Sequence, residues 1–108
     1  MAEPKYDLIA VKKAARNLNI TLRGPTVQRD IFNLDFELED VALCLLHLSE
    51  IDYRKTTFYE TGRPDDEYIC DFIKPGNEEF EPDRLYIKYC LIDDYLSIDL
   101  ASFHLARF

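Results

Sequence analysis

Five residues in the second half of the chain have side chains that could cut RNA without a metal ion. Tyr53 and Lys55 lie in one strand-like run, Tyr86 and Lys88 lie in another, and His104 stands near the end of the chain. Cleavage of this kind needs a group that removes the proton from a 2′-hydroxyl, cations that stabilise the charged phosphorane, and an acid for the departing 5′-oxygen. Lysine, tyrosine and histidine can fill those roles.

Lysine and tyrosine need help from their surroundings to act as bases near neutral pH, because their ordinary pKa values lie near 10. Two ammonium groups about 6 Å apart repel each other by about 3 kcal/mol at an effective dielectric of about 20, which lowers a pKa by about two. Lys55 beside Lys88 would form such a pair. Spacing alone, however, favours a simpler interpretation, in which both lysines are solvated residues on an open sheet face.

The first half of the chain has the apolar spacing of helices. Hydrophobic residues recur at helical intervals from Leu8 onward, and Asp7 is a candidate N-cap. A later stretch combines a wide apolar stripe with acidic residues in its first turn, where the helix dipole favours carboxylates. The segment NITLRGP has the alternation of a short strand that ends at a turn. These patterns predict helices over residues 7 to 18, 26 to 34 and 37 to 49.

The period of the hydrophobic pattern changes from about 3.6 to 2 at Ile51. Short turn-forming segments separate the runs that follow, and such connectors force neighbouring strands to run antiparallel. We therefore expect an α+β fold, with N-terminal helices packed on one face of an antiparallel, mainly four-stranded C-terminal sheet. The predicted strands span residues 51 to 60, 67 to 74, 84 to 92 and 95 to 104.

Strand alternation also predicts which side chains face the helices. In the third run, one face is expected to pack under the helices, and its residues are Leu85, Ile87, Tyr89 and Leu91. Tyr86 and Lys88 are then expected on the opposite face. In the first run, Tyr53 and Lys55 are expected to share one face and Arg54 the other.

The last strand-like run contains a break in its alternation. Leu100 has the parity of Leu96 and Ile98, but Phe103 has the opposite one. An extra residue in a strand re-aims the side chains that follow it. The break therefore predicts a bulge near Ala101 and Ser102.

Length and charge limit the possible functions. At 108 residues the chain is expected to form one domain, residues 1 to 108. The net charge is −8, and the first 34 residues hold six basic and three acidic groups. Because affinity for a polyanion grows with the number of phosphates neutralised by Lys and Arg, this balance argues against non-specific nucleic-acid binding. Any nucleic-acid site must be local.

The remaining composition points to a cytoplasmic protein without cofactors. No apolar run approaches the roughly 18 residues of a membrane span, and MAEPKYDL lacks the apolar centre of a signal peptide. Cys44, Cys70 and Cys90 have no CxxC spacing, so we expect buried, reduced thiols and no zinc site. The acidic stretches DDEYICD and Asp93-Asp94 could ligate Mg²⁺. Acidic residues in turns usually stabilise only the turn itself, so we expect no metal.

Two long segments carry a family resemblance. They are LDFELEDVALCLLHLSEIDYRKTTFYE, residues 34 to 60, and RLYIKYCLIDDYLSIDLASFH, residues 84 to 104. With the helix that begins at YDLIAVKKAARNL, they resemble the motility quorum-sensing regulator (MqsR) family, RelE-like mRNA interferases of type II toxin–antitoxin systems. The most specific pieces are LDF before an apolar helix, LSEIDYRK, RLYIK and the terminal SFH.

The resemblance implies a ribosome-independent and metal-independent endoribonuclease that cuts mRNA at short GC-containing sequences by attack of the 2′-hydroxyl on the adjacent phosphate. Carried over by motif, Lys55 becomes the base or phosphate stabiliser, Tyr86 the proton donor or base positioner, and His104 the acid. Cys70 falls where some members carry a strand glutamine near the active site. The residues assigned to RNA contacts are Tyr53, Arg54, Lys88, Lys74 and Arg107.

The resemblance also implies a protein partner, an antitoxin with a zinc-binding N-terminal region and a helix-turn-helix domain. A second hypothesis belongs to another class of function. In it, the same fold is a non-catalytic, decayed toxin that acts as a protein-binding module, with its acidic surface engaging a basic partner. Cleavage of RNA in the presence of a chelator separates the two hypotheses.

Overall fold

The computed structural model describes residues 3 to 107, and within that range it contains three helices and a five-stranded mixed sheet. The predicted α+β class is therefore confirmed, with five strands rather than four. The elements in chain order are α1 (Leu8–Arg16), β1 (Ile20–Leu22), α2 (Pro25–Asn33), α3 (Leu38–Leu46), a 3₁₀ turn (Glu50–Asp52), β2 (Tyr53–Thr57), β3 (Asp65–Phe72), β4 (Asp83–Ile92) and β5 (Ser97–Leu105).

Local capping explains where the helices begin. The Asp7 carboxylate accepts a hydrogen bond of 2.9 Å from the Ile9 amide at the start of α1, as expected for an N-cap. Helix α2 begins at Pro25, whose fixed φ suits the first helical position. A backbone N–H at that position has no acceptor within the helix, so proline loses no hydrogen bond there. None of the helices in the described part of the chain is long and apolar enough to cross a membrane.

The sheet has the order β1-β5-β4-β3-β2. Strands β2 to β5 form the antiparallel series that their short connectors predict. Strand β1 adds a fifth strand, because it pairs parallel with β5, Ile20 lying opposite Ile98. A parallel neighbour needs a long connection, here α2, α3 and the three other strands, so no short connector marks this pairing in the sequence.

The three helices cover one face of the sheet and leave the other face open. The predicted inward set of β4 is fully or almost fully buried, while Tyr86 and Lys88 remain partly exposed on the opposite face. The thiols of the three cysteines are free and buried, as expected. Cys44 on α3 and Cys70 on β3 place their sulfur atoms 3.7 Å apart inside this core.

Two bulges decide which side chains reach the open face. In β5, Lys88 pairs with Ser102 and Tyr89 pairs with Leu100, so Ala101 is the extra residue and the predicted bulge is confirmed.

A second bulge, at Arg54 in β2, was not predicted. Tyr53 pairs with Tyr68 and Lys55 pairs with Glu67, which leaves Arg54 as the extra residue. Neighbouring residues of β3 point to opposite faces, so the bulge places Tyr53 on the helix-covered face and Lys55 on the open face. The ring of Tyr53 accordingly lies 5.6 Å from the ring of Tyr68, centre to centre. The expectation that Tyr53 and Lys55 share a face is wrong.

Candidate functional site

The open face gathers four of the residues singled out by their chemistry. The strand register aligns Lys55 with Glu67, Glu67 with Lys88, and Lys88 with Ser102, in one row across β2, β3, β4 and β5. In the next row Tyr86 lies opposite His104. Lys55, Tyr86, Lys88 and His104 thus share one surface. They lie on β2, β4 and β5, which the backbone pairing of the sheet holds in place.

A buried carboxylate lies at the centre of this surface. The side chain of Glu67 is 8% exposed, and its Oε2 atom accepts a 2.6 Å hydrogen bond from Thr57. The Tyr86 hydroxyl donates to Oε1, and the Lys55 ammonium lies 3.9 Å from Oε2. Burial opposes ionisation of Glu67, but the hydrogen bonds from Thr57 and Tyr86 and the charges of Lys55 and Lys88 outweigh it, so the pKa of Glu67 is lowered. Glu67 is therefore an anion at neutral pH.

The position of Glu67 changes the role expected for the two lysines. The register sets Glu67 between Lys55 and Lys88, opposite each of them on a neighbouring strand. A carboxylate in that place attracts both ammonium groups and offsets their mutual repulsion. Direct repulsion between a lysine pair is consequently not the means by which this surface would obtain a base.

Tyr86 connects the carboxylate to the histidine. Burial and the hydrogen bond to Glu67 raise the pKa of Tyr86 well above its ordinary value of 10.0, so the phenol keeps its proton at neutral pH. The His104 ring lies 5.1 Å from the Tyr86 ring, centre to centre, and His104 Nδ1 is 2.8 Å from the Leu105 carbonyl oxygen. Because a carbonyl oxygen only accepts, Nδ1 carries a hydrogen and Nε2 is the nitrogen left for chemistry.

A second buried carboxylate lies beside this group on the open face. Asp65 is fully buried and accepts two hydrogen bonds from the Arg23 guanidinium, of 3.0 and 2.9 Å, and one of 2.7 Å from Tyr59. Arg23 also donates to Asp99, at 2.8 Å. Burial opposes the charge of Asp65, but the bonds from Arg23 and Tyr59 outweigh it and lower its pKa. The pKa of Tyr59 is raised to about 12, chiefly by its bond to Asp65.

Sequence reasoning did not identify Glu67, Asp65, Arg23 or Tyr59 as site residues. The two carboxylates belong to DDEYICD, whose composition indicates turn acids, whereas the structure places them in β3. Their spacing of two residues, which is the period of a strand, is the signal that could have located them on one face.

The residues predicted to contact RNA do not all lie together. Lys88 is on the open face, whereas Tyr53 is on the helix-covered face. Arg54 lies at the β2 bulge, where its guanidinium donates to the carbonyl of Ile51 at 3.2 Å. Lys88 is thus the member of this set that the sheet register places in the same row as Lys55.

The two remaining cations of the predicted set lie beyond the ends of strands. Lys74 follows β3 and its ammonium lies 3.8 Å from the carboxylate of Asp35 and 5.9 Å from the ring centre of Phe36, in the loop between α2 and α3. Arg107 is exposed beyond the end of β5.

Cys70 does not take the place of an active-site amide. Its side chain points into the helix-covered core, where it contacts Cys44, so it faces away from Lys55 and Tyr86. On β3 the side chains of Glu67 and Ile69 have the parity of the open face, since they pair with Lys88 and Tyr86. Glu67 is therefore the β3 side chain that contacts Tyr86 and Lys55.

The buried acidic residues of β3 have protein partners. Asp65 is held by Arg23, and Asp66 accepts the backbone N–H groups of Lys5 and Tyr6, each at 2.9 Å. Among residues 3 to 107 there is no group of three or more His, Cys, Asp or Glu side chains arranged to hold a metal ion.

Comparison of the chain with models of known protein families and with curated proteins gives no match.

Proposed function

We propose that this chain is an mRNA-cleaving toxin of the MqsR family, acting in the cytoplasm. The observation that carries the proposal is the meeting of Lys55, Lys88, Tyr86 and His104 around the Glu67 carboxylate on one open sheet face. This set contains cations for a phosphate, groups that can move protons and a histidine, which together are the groups that cleavage by a 2′-hydroxyl requires.

The roles follow from position and charge. Lys55, whose side chain is 68% exposed, is free to turn its ammonium toward a phosphate in solvent. Lys88 supplies a second cation from β4, and the pair stabilises the phosphorane as its charge develops. His104 gives a proton from Nε2 to the departing 5′-oxygen, and Tyr86, adjacent to it, contacts the reacting 2′-hydroxyl.

The acidic net charge of −8 is compatible with a local RNA site. Both buried carboxylates of the open face are paired, Glu67 with Lys55, Tyr86 and Thr57, and Asp65 with Arg23 and Tyr59. Paired anions present less negative potential to an approaching phosphate than free ones. The overall charge still predicts weak, salt-sensitive RNA binding.

Incubation of the purified protein with a GC-containing transcript in the presence of a chelator tests the proposal. Cleavage is expected with the wild-type protein and is expected to fall by about 100-fold or more in Lys55→Ala and Tyr86→Ala. Lys13→Ala, an exposed lysine on α1, and Tyr95→Phe, an exposed tyrosine between β4 and β5, are the matched controls and should cleave normally. Intact RNA at high protein excess would refute the nuclease function and support the non-catalytic protein-binding alternative.

Membership of the proposed family implies a protein partner, an antitoxin with a zinc-binding region and a helix-turn-helix domain. A reading frame for such a protein next to the gene, and its co-purification with this chain, are the expected results. In this arrangement the zinc and the DNA contacts belong to the antitoxin and the RNA chemistry to this chain.

A further inference from the structure

The hydrogen-bond direction between Tyr86 and Glu67 assigns a proton route. A carboxylate without a proton only accepts hydrogen bonds, so the Tyr86 hydroxyl must donate its hydrogen to Glu67 Oε1. The phenol hydrogen is thus used in the bond to Glu67. The lone pairs of the phenol oxygen remain available to accept a hydrogen bond or a proton from another group. Tyr86 can accept a proton from a substrate at the same moment as it gives its own to Glu67.

Burial explains why the carboxylate would act through Tyr86 rather than directly. Glu67 has a side chain that is 8% exposed, and both of its oxygen atoms already have partners. Tyr86 is partly exposed, its hydroxyl bonds to the carboxylate, and its ring lies beside His104. A substrate hydroxyl on the open face therefore meets the phenol before it meets Glu67.

We propose that Glu67 is the final proton acceptor in RNA cleavage by this protein and that Tyr86 relays the proton to it. This inference rests on the proposed nuclease function. In one step the 2′-oxygen bonds to phosphorus, the bond from phosphorus to the 5′-oxygen breaks, the 2′-hydroxyl proton passes to the Tyr86 oxygen, and the Tyr86 proton passes to Glu67. Protonated His104 gives its Nε2 proton to the departing oxygen, so the products are a 2′,3′-cyclic phosphate and a 5′-hydroxyl.

The alternative acceptors on this face are less suited to the task. The two lysines act in this scheme as cations, and an ammonium group has no lone pair with which to accept a proton. A tyrosine acting alone would have to become a tyrosinate, and its relay to an anion avoids that intermediate. In this scheme Glu67 is a positioning residue and proton acceptor, and Tyr86 is the catalytic residue that touches the substrate.

The charges around Glu67 determine the pH dependence of the relay. Lys55 on β2 and Lys88 on β4 attract the anion, and Thr57 and Tyr86 donate hydrogen bonds to it. The charge of Asp65, on the same face, acts on Tyr86 and helps to raise the pKa of that phenol. The lowered pKa of Glu67 keeps it ionised above its ordinary value of 4.5. The cleavage rate should therefore not climb by tenfold per pH unit between about pH 5 and 7, as it would with a base of pKa near 10.

The test measures single-turnover cleavage of a GC-containing RNA, with chelator present, across that pH range. Glu67→Gln keeps the shape of the side chain and an acceptor oxygen for Tyr86, but it cannot take up the proton. The expected result is a loss of about 100-fold or more near pH 7, with RNA affinity within about twofold of wild type and a residual rate that now rises with pH. A Glu67→Gln rate within about threefold of wild type would overturn the relay.

Two further variants make the test specific. Tyr86→Phe removes the relay group without removing the ring, and a Tyr86→Phe, Glu67→Gln double variant should be no slower than the slower single variant, because both break one route. Losses that multiply in the double variant would contradict the relay. Asp71→Asn, an exposed acid on the same strand and with the same parity, is the matched control and should keep the wild-type rate.

A spectroscopic titration separates failure of the relay from failure of the nuclease function. The tyrosine ionisation that is absent in Tyr86→Phe should move to lower pH in Glu67→Gln. Burial still raises the pKa of Tyr86 in that variant, but the contribution of the Glu67 anion has been removed. An unmoved ionisation would show that the pairing does not exist in solution and would overturn the relay. If the pairing is present but the wild-type protein leaves RNA intact, the nuclease function fails and the relay fails with it.

Discussion

Arg23 reaches across two strands of the sheet to hold Asp65. Arg23 directly follows β1, whereas Asp65 begins β3, and β5 and β4 lie between those strands. Two parallel N–H···O bonds of 3.0 and 2.9 Å join the guanidinium to the carboxylate, and Asp99 of β5 accepts a third bond from Arg23. The planar guanidinium of arginine can donate two parallel hydrogen bonds to one carboxylate, whereas the ammonium of lysine cannot. The pairing of Arg23 with Asp65 ties the parallel edge strand to the antiparallel part of the sheet.

Replacement of Asp65 should destabilise the whole fold. Asp65→Asn removes the charge of a fully buried group and leaves Arg23 without its main partner, so we expect the free energy of unfolding to fall by about 3 kcal/mol. Urea unfolding at neutral pH measures this difference. Asp99→Asn is the control, because Asp99 bonds the same arginine but its side chain is 21% exposed, and its loss should cost less. Equal losses for the two variants would contradict the ranking.

The same pair predicts how stability depends on pH. The pKa of Asp65 in the folded protein is lower than its ordinary value of 3.8, so its stabilising contribution is complete above about that pH and disappears as the pH falls through the folded value. Wild type and Asp65→Asn should therefore differ most near neutral pH and converge in strong acid. A difference in unfolding free energy that stays constant from neutral pH to about pH 2 would contradict this assignment.

Asp66 should fix the segment that precedes α1. Its buried carboxylate accepts the backbone N–H groups of Lys5 and Tyr6, each at 2.9 Å, as well as the hydroxyl of Thr56. An asparagine presents one amine in place of an oxygen, so Asp66→Asn should weaken this attachment by about 2 kcal/mol. Hydrogen exchange of the Lys5 and Tyr6 amides should accelerate by about thirtyfold. Asp71→Asn, on the exposed side of the same strand, should leave both amides protected.

RNA affinity should distinguish the cations of the open face from those elsewhere. Lys55→Ala is expected to weaken binding of a short GC-containing RNA by about fivefold to tenfold, because it removes a phosphate contact. Lys74→Ala should change the affinity by less than about twofold, since Lys74 is held near Asp35 and Phe36 between α2 and α3. Fluorescence anisotropy at fixed salt measures both. A loss for Lys74→Ala as large as that for Lys55→Ala would place the RNA on another surface.

The sequence contains enough information to predict the element types and one of the two bulges. Phe103 is strongly apolar, so a change in its parity relative to Leu100 is visible in the pattern, and the bulge at Ala101 follows. The bulge at Arg54 leaves no such trace. Tyr53 is amphipathic and Lys55 has a long apolar stem, so either residue can occupy either face of the sheet. The apolar and polar alternation of this strand therefore does not show where the extra residue lies.

The buried carboxylates could not be predicted for a different reason. A strand is expected to bury apolar side chains, yet Asp65, Asp66 and Glu67 open β3 and are all buried. Their burial depends on partners distant in sequence, such as Arg23 for Asp65 and Tyr86 for Glu67. Charge compensation between such positions is a property of the tertiary structure, and it becomes visible only when the strand order is known.

The most direct test of the central claim uses two RNA oligonucleotides that differ by one oxygen atom. One is a GC-containing RNA, and the other has a single 2′-deoxy sugar at the position where cleavage is expected. With chelator present, we expect the first to be cut to a 2′,3′-cyclic phosphate and a 5′-hydroxyl. The second should stay intact at that bond, because its nucleophile is missing. Cleavage of both oligonucleotides at the same bond, or of neither, would contradict the claim that this open sheet face directs a 2′-hydroxyl onto its own phosphate.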